Sequence, residues 1–123
     1  FTLAELLVVV AIIGVLVAIS IPIFSQQLHR AKVATDIANL RSYYAELQTD
    51  YIETNNKRQD ILNKYELSMT KHTSYTDLNG TTIQLKDGYF SLRFVDGQGY
   101  QISYYCNDIS EHYGNPGCTT VIG

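Results

Sequence analysis

The sequence predicts an α+β fold, in which one long N-terminal helix (about residues 2–54) protrudes by its apolar first half and packs its second half on a small antiparallel β-meander. Three observations predict it. No Asp, Glu, Lys or Arg occurs from Leu6 to Leu28. From Val33 to Tyr51, apolar residues recur at helical spacing, and beyond Tyr89 two runs alternate with a period of two.

Leu, Val, Ile and Ala dominate as far as Ile23, and the uncharged stretch exceeds the ~18 to 20 residues that cross a bilayer as helix. Residues 1–25 are therefore expected to form a transmembrane or filament-core half-helix, and residues 26–123 a globular head. The chain opens on Phe1 and keeps its apolar core, whereas a secretory signal peptide loses that core on cleavage. Apart from Glu5, every charge lies beyond the apolar stretch, and the net charge is −3. The nine Lys and Arg are scattered and outnumbered by twelve Asp and Glu, which argues against direct nucleic-acid binding.

The helical pattern continues past the membrane boundary near Phe24. Val33, Ile37, Leu40, Tyr44, Leu47 and Tyr51 step by fours and threes, which keeps them on one face. Lys32, Asp36, Asn39, Glu46, Asp50 and Glu53 fall on the opposite rows, with Lys32 and Asp36 spaced for an i, i+4 pair. This stripe reads as the core face of a helix packed on its own domain; a coiled-coil seam is the alternative. A helix of this length would extend ~80 Å, far beyond the thickness of a membrane.

Residues 55–80 read as a connector, polar from Asn55 to Asp60, with a short helical signal in Ile61, Leu62, Tyr65 and Met69. The sheet is expected over residues 81–106. Phe90, Leu92 and Phe94 alternate with Ser91, Arg93 and Val95; Tyr100, Ile102 and Tyr104 alternate with Gln101, Ser103 and Tyr105. Asp87-Gly88 and Asp96-Gly97-Gln98-Gly99 read as hairpin turns, making Thr81 to Leu85 the first and weakest strand of a three-strand meander. Such a meander is marginal alone, so it is expected to pack on the Val33 to Tyr51 face.

Cys106 and Cys118 flank a turn-rich C-terminal segment, 106–118, and suit a disulfide worth on the order of 3 kcal/mol in the chain-entropy model. That bond would place the head in an oxidising compartment. Two reduced thiols are the alternative, and a metal site would need further ligands at set spacing. Asp108, Glu111 and His112 lie in the same segment and read as solvated polar residues. Asn79-Gly80-Thr81 matches a glycosylation pattern and reads as a turn. His29, His72 and His112 are far apart, and neither a nucleophile elbow nor a phosphate loop occurs. No enzyme activity, cofactor or metal is expected. The ten tyrosines, unaccompanied by tryptophan, read as core and subunit contacts.

Glu5 does not fit the apolar segment, since a charged side chain at mid-bilayer costs ~2.5 to 3.5 kcal/mol to insert and less toward the edge. One account is that it sits at the helix N-terminus and complements the dipole. The string FTLAELLVVVAIIGVLVAISIPIF, however, resembles the N-terminus of mature type IV pilins and pseudopilins. The resemblance covers about the first 30 residues; the head agrees in general architecture only. It implies that a prepilin peptidase cuts ahead of Phe1 and methylates its amino group. It also implies that Glu5 pairs with the Phe1 amine of a neighbouring subunit in a helical homo-oligomer, assembled from the membrane by pilus machinery.

Gly14 and Pro22 weaken the helix, and the resemblance implies local melting between them in the packed filament. Arg30 and Lys32 after the span would by themselves hold the head on the cytoplasmic side; a basic leader, implied by the resemblance, supplies the opposing charge. A pseudopilin of a secretion or DNA-uptake machine would share the motif. A monomeric single-span surface binding protein is the alternative of another class, and it would not need Glu5.

Overall fold

Helix α1 runs from Leu3 to Thr54 without interruption. It ends where Asn55 turns to φ 56°, a left-handed conformation that asparagine tolerates, and gives its N–H to the Tyr51 carbonyl at 2.8 Å. The computed structural model describes residues 1–67, 70–106 and 119–123. They divide into two compact units, Phe1–Ala31 and Lys32–Gly123.

Among the described residues, six elements follow α1. Helix α2 (Gln59–Tyr65) is followed by β1 (Ser74–Thr76), β2 (Thr82–Gln84), β3 (Gly88–Val95), β4 (Gly99–Cys106) and β5 (Thr119–Ile122). The architecture is α+β, with all strand pairs antiparallel. The expected three-stranded antiparallel meander is present as β3-β4-β5, but its strands are not all the expected ones. Strand β2 does not precede β3 in one sheet; it pairs with β1, inside the segment read as connector, while β3, β4 and β5 form a separate three-stranded sheet in that order. Strands therefore lie on both sides of the expected 81–106 range.

The reason lies at Asp87-Gly88, where no hairpin forms. The Lys86 and Asp87 amides donate instead to the two carboxylate oxygens of Asp36, at 2.7 and 2.8 Å. Gly88 then starts β3 opposite Cys106, so close to the Tyr105 carbonyl that no Cβ would fit. The free side of β3 is met by His72, whose carbonyl accepts the Phe90 N–H at 3.0 Å. Asp36 itself corrects a second expectation: it is not on the polar rows but fully buried, and it also accepts the Tyr104 hydroxyl at 2.9 Å. The buried stripe of α1 is Val33, Asp36, Leu40, Tyr43 and Leu47, while Ile37, Tyr44 and Tyr51 flank it half-buried.

The second turn forms as expected. Val95 pairs with Gly99, Gln98 donates to the Val95 carbonyl at 3.0 Å, and Gly97 and Gly99 take φ 84° and 97°. Gly99 is required twice over, because the Gln48 carboxamide of α1 presses against it. Gln48 accepts the Tyr100 N–H and donates to the Gln98 carbonyl, both at 3.1 Å, which clamps the hairpin to the helix.

Between α1, α2 and the sheets, the core is largely aromatic. Phe90 pairs with Tyr104, Leu92 with Ile102 and Phe94 with Tyr100 across β3 and β4, and Tyr43 stacks on Tyr75 with centroids 4.4 Å apart. Tyrosine suits this small core because its ring fills volume while its hydroxyl ties down a backbone group. Tyr75 donates to the Asn39 carbonyl at 2.9 Å, Tyr65 accepts the Thr76 N–H at 3.1 Å and Tyr100 accepts the Arg58 N–H at 2.7 Å.

Tyr43 departs from this pattern: its hydroxyl is buried without a hydrogen-bond partner among the described residues. An unsatisfied buried hydroxyl costs about 1 to 3 kcal/mol. Tyr43→Phe is therefore expected to match the parent chain or gain up to about 1 kcal/mol, read as an unchanged or higher urea midpoint. A clear drop in that midpoint would contradict this packing.

Burial pushes the phenols of Tyr75, Tyr100 and Tyr104 above their ordinary value of 10.0, Tyr75 to about 12, and the Asp36 carboxylate adds to the rise at Tyr104. Each phenol thus holds its proton more tightly folded than unfolded. Its contribution to stability is complete below the unfolded value and withdrawn as pH climbs past it. Urea midpoints of the full chain in detergent should be level at neutral and mildly alkaline pH and fall above pH about 10; a level midpoint there would contradict the burial of these rings.

Candidate functional site at the N-terminal helix

The first turn of α1 is closed by its own sequence. Thr2 Oγ1 accepts the Glu5 N–H at 3.2 Å, and Glu5 Oε2 accepts the Thr2 N–H at 3.1 Å. Thr2-Leu3-Ala4-Glu5 is thus a capping box, in which two otherwise orphaned amides are satisfied reciprocally. The signal is legible in the residues but overshadowed by the charge of Glu5. Phe1 is fully exposed. One Glu5 oxygen is engaged by Thr2, and the other takes no hydrogen bond among the described residues. The carboxylate is held in place with acceptor capacity to spare.

Beyond this turn, every side chain as far as Leu28 is exposed. Val8, Val10, Ile13, Leu16, Ile19, Ile23 and Phe24 are each more than half exposed. Among the described residues this is one helix, near the N-terminus, long and apolar enough to cross a membrane. An apolar cylinder of this extent is strongly disfavoured in water, so it must be covered by lipid or by protein.

Gly14 and Pro22 both lie within continuous helix. No atom approaches the position of a Cβ on Gly14. Pro22 has no N–H to give the Ala18 carbonyl. On either side of it, Ser20 donates to the Leu16 carbonyl at 2.7 Å and Ser25 to the Ile21 carbonyl at 3.1 Å. Such back-bonding lets a serine sit in an apolar helix without exposing its hydroxyl, and it tends to bend the helix.

The remaining candidate residues fall elsewhere. Cys106, the last residue of β4, is buried and not free. Cys118, Asp108, Glu111 and His112 lie outside the described residues, as does Met69. Among the described residues, no group of His, Cys, Asp or Glu could hold a metal ion. One depression of the second unit is lined by Ser42, Glu46, Thr49, Leu78 and Asn79.

Comparison of the chain with protein-family models, curated proteins and solved structures gave no match.

Proposed function

We propose that this chain is the repeating structural subunit of a type IV pilus-like surface filament. The observation that carries the reading is a single one: an uncovered apolar helix whose first turn holds a capped, partly available carboxylate. Lipid covers the helix of the stored monomer, which is a single-pass membrane protein with its head outside. In the filament, neighbouring copies replace the lipid. A buried carboxylate is tolerable there only if a cation is delivered to it, and Phe1 of a neighbouring copy delivers one. The pair fixes the register of the polymer as well as holding it.

In this reading a prepilin peptidase exposes and methylates Phe1, assembly machinery extracts the helix from the membrane, and the segment between Gly14 and Pro22 melts on packing. Melting there is inexpensive, since Pro22 has already removed one helical hydrogen bond. Cys106 pairs with Cys118, closing the C-terminal loop of an extracytoplasmic head. The chain has no enzymatic role.

The reading is tested by electron microscopy of material sheared from intact cells, with N-terminal mass spectrometry on the same fraction. Filaments of this chain beginning at N-methylated Phe1 are expected. Processed monomer without sheared filaments would indicate a pseudopilin. Unprocessed, cell-bound monomer would indicate a single-span surface binding protein.

A further inference from the structure

We propose that Asn79 is a glycan attachment site, taking an oligosaccharide in N-linkage on its side-chain carboxamide. The segment Asp77-Leu78-Asn79-Gly80-Thr81 carries the Asn-x-Thr acceptor pattern, without proline and with an acidic residue two positions ahead. So short a pattern is weak alone, because most asparagines that match it by chance are buried or tied into regular structure. Here the segment is the apex of the hairpin joining β1 to β2, and Asn79, Gly80 and Thr81 are all exposed.

The turn is built without the acceptor side chain. One carboxylate oxygen of Asp77 accepts the N–H of Asn79 at 3.0 Å and that of Thr81 at 2.8 Å. Asp77 donates its N–H to the Thr81 carbonyl at 2.9 Å, and its own carbonyl accepts the Gly80 N–H at 3.1 Å. Asp77 thus forms an Asx turn that satisfies most of the loop backbone, and Glu46 of α1 accepts the remaining Leu78 N–H at 3.4 Å. The Asn79 carboxamide and the Thr81 hydroxyl make no hydrogen bond among the described residues. Gly80, at φ +90° with open space where a Cβ would stand, leaves the tip bare for close approach by another protein's backbone. The tip lies outside both strands, which end at Thr76 and resume at Thr82, so it can be reached without opening the hairpin that Tyr75 anchors in the core.

The chemistry balances without a redox partner. The Asn79 amide nitrogen attacks the anomeric carbon of a sugar carried on a polyprenyl diphosphate. A C–N bond forms, and the anomeric C–O bond breaks with its electron pair leaving on the diphosphate. The amide proton passes to a base of the transferase. The inference rests on the filament reading in one respect: the head must face the side of the membrane where lipid-linked sugars are presented.

The test uses the full chain purified from its own cells. Trypsin cutting after Lys71 and Lys86 releases a peptide from His72 to Lys86 that contains Asn79 but neither cysteine nor methionine. It is expected to carry hexose or N-acetylhexosamine mass, and to lose it completely in both Asn79→Gln and Thr81→Ala chains. Neither substitution touches a bond that holds the turn. A peptide found only unmodified or deamidated, or one whose sugar survives Asn79→Gln, overturns the proposal. Labelling intact cells with a membrane-impermeant amine reagent separates the two failures. A labelled head with bare Asn79 overturns the glycan site alone, whereas an unlabelled head with bare Asn79 overturns the filament reading with it.

Discussion

Glu5→Gln is expected to leave a folded, membrane-inserted monomer and to remove filaments. Glutamine at this position still completes the capping box, because its side-chain oxygen can accept the Thr2 N–H as Glu5 does at 3.1 Å. What it lacks is the charge that would receive a neighbour's ammonium. Breaking one half of a buried ion pair costs about 3 to 5 kcal/mol. At ~1.4 kcal/mol for each factor of ten, that lowers the equilibrium for adding a subunit by a hundredfold or more. The yield of sheared filament, measured against total chain in the cell, should fall to background. Glu5→Ala should fail equally, with an additional loss of about 1 kcal/mol of helix capping. Thr2→Val separates the roles from the other side: it removes the hydroxyl that caps the Glu5 amide but keeps the carboxylate, so filaments should persist. If Glu5→Gln assembles normally, Glu5 does no more than cap its own helix.

Asp36→Ala is expected to produce the largest loss of stability in the head, about 3 to 5 kcal/mol, since it strands three donors at once. The Lys86 and Asp87 amides and the Tyr104 hydroxyl would all lose their acceptor in the space between α1 and β3. That exceeds half the total stability of many domains of this size. Asp36→Asn keeps an acceptor oxygen but turns an NH2 toward at least one of the three donors, so it should recover only part of the loss. Tyr104→Phe removes a single partner and should cost about 1 kcal/mol. Urea titration of the full chain in detergent, followed by tyrosine fluorescence, gives the ranking. An Asp36→Ala chain as stable as the parent would contradict the role assigned to this carboxylate.

These two acids also mark where the sequence is legible and where it is not. The long helix is plain because absence of charge from Leu6 to Leu28 is a local property, and so is the period-two alternation that produces β3 and β4. The hairpin between them is equally local, since two glycines supply the positive φ angles that it needs. The fate of Asp87-Gly88 is not local. The same dipeptide makes a turn or an extended strand entry according to whether a distant acceptor takes the preceding amides, and that acceptor, Asp36, lies 50 residues away from Lys86 along the chain.

Nothing in the neighbourhood of Asp36 announces its burial, because by helical spacing it shares the polar rows with Lys32 and Glu46. Its inward position shifts the buried face onto Tyr43 and leaves Tyr44 and Tyr51 at the margin. Strand β5, four residues with two threonines, pairs with β4 only because the chain returns from the C-terminus. At the candidate site, Phe1, Glu5 and the apolar surface are readable from residue type alone. The reciprocal Thr2 and Glu5 bonds depend on where the helix begins, which the sequence leaves open by a residue or two.

The central claim is that Phe1 of one copy meets Glu5 of another, and helical reconstruction of sheared filaments by electron cryomicroscopy tests it most directly. The expected density shows the methylated Phe1 amine within ion-pair distance of the Glu5 carboxylate of a neighbouring chain, with the apolar helices packed at the filament centre. Filaments in which Glu5 touches only its own Thr2, or in which the apolar helices do not contact one another, would contradict it.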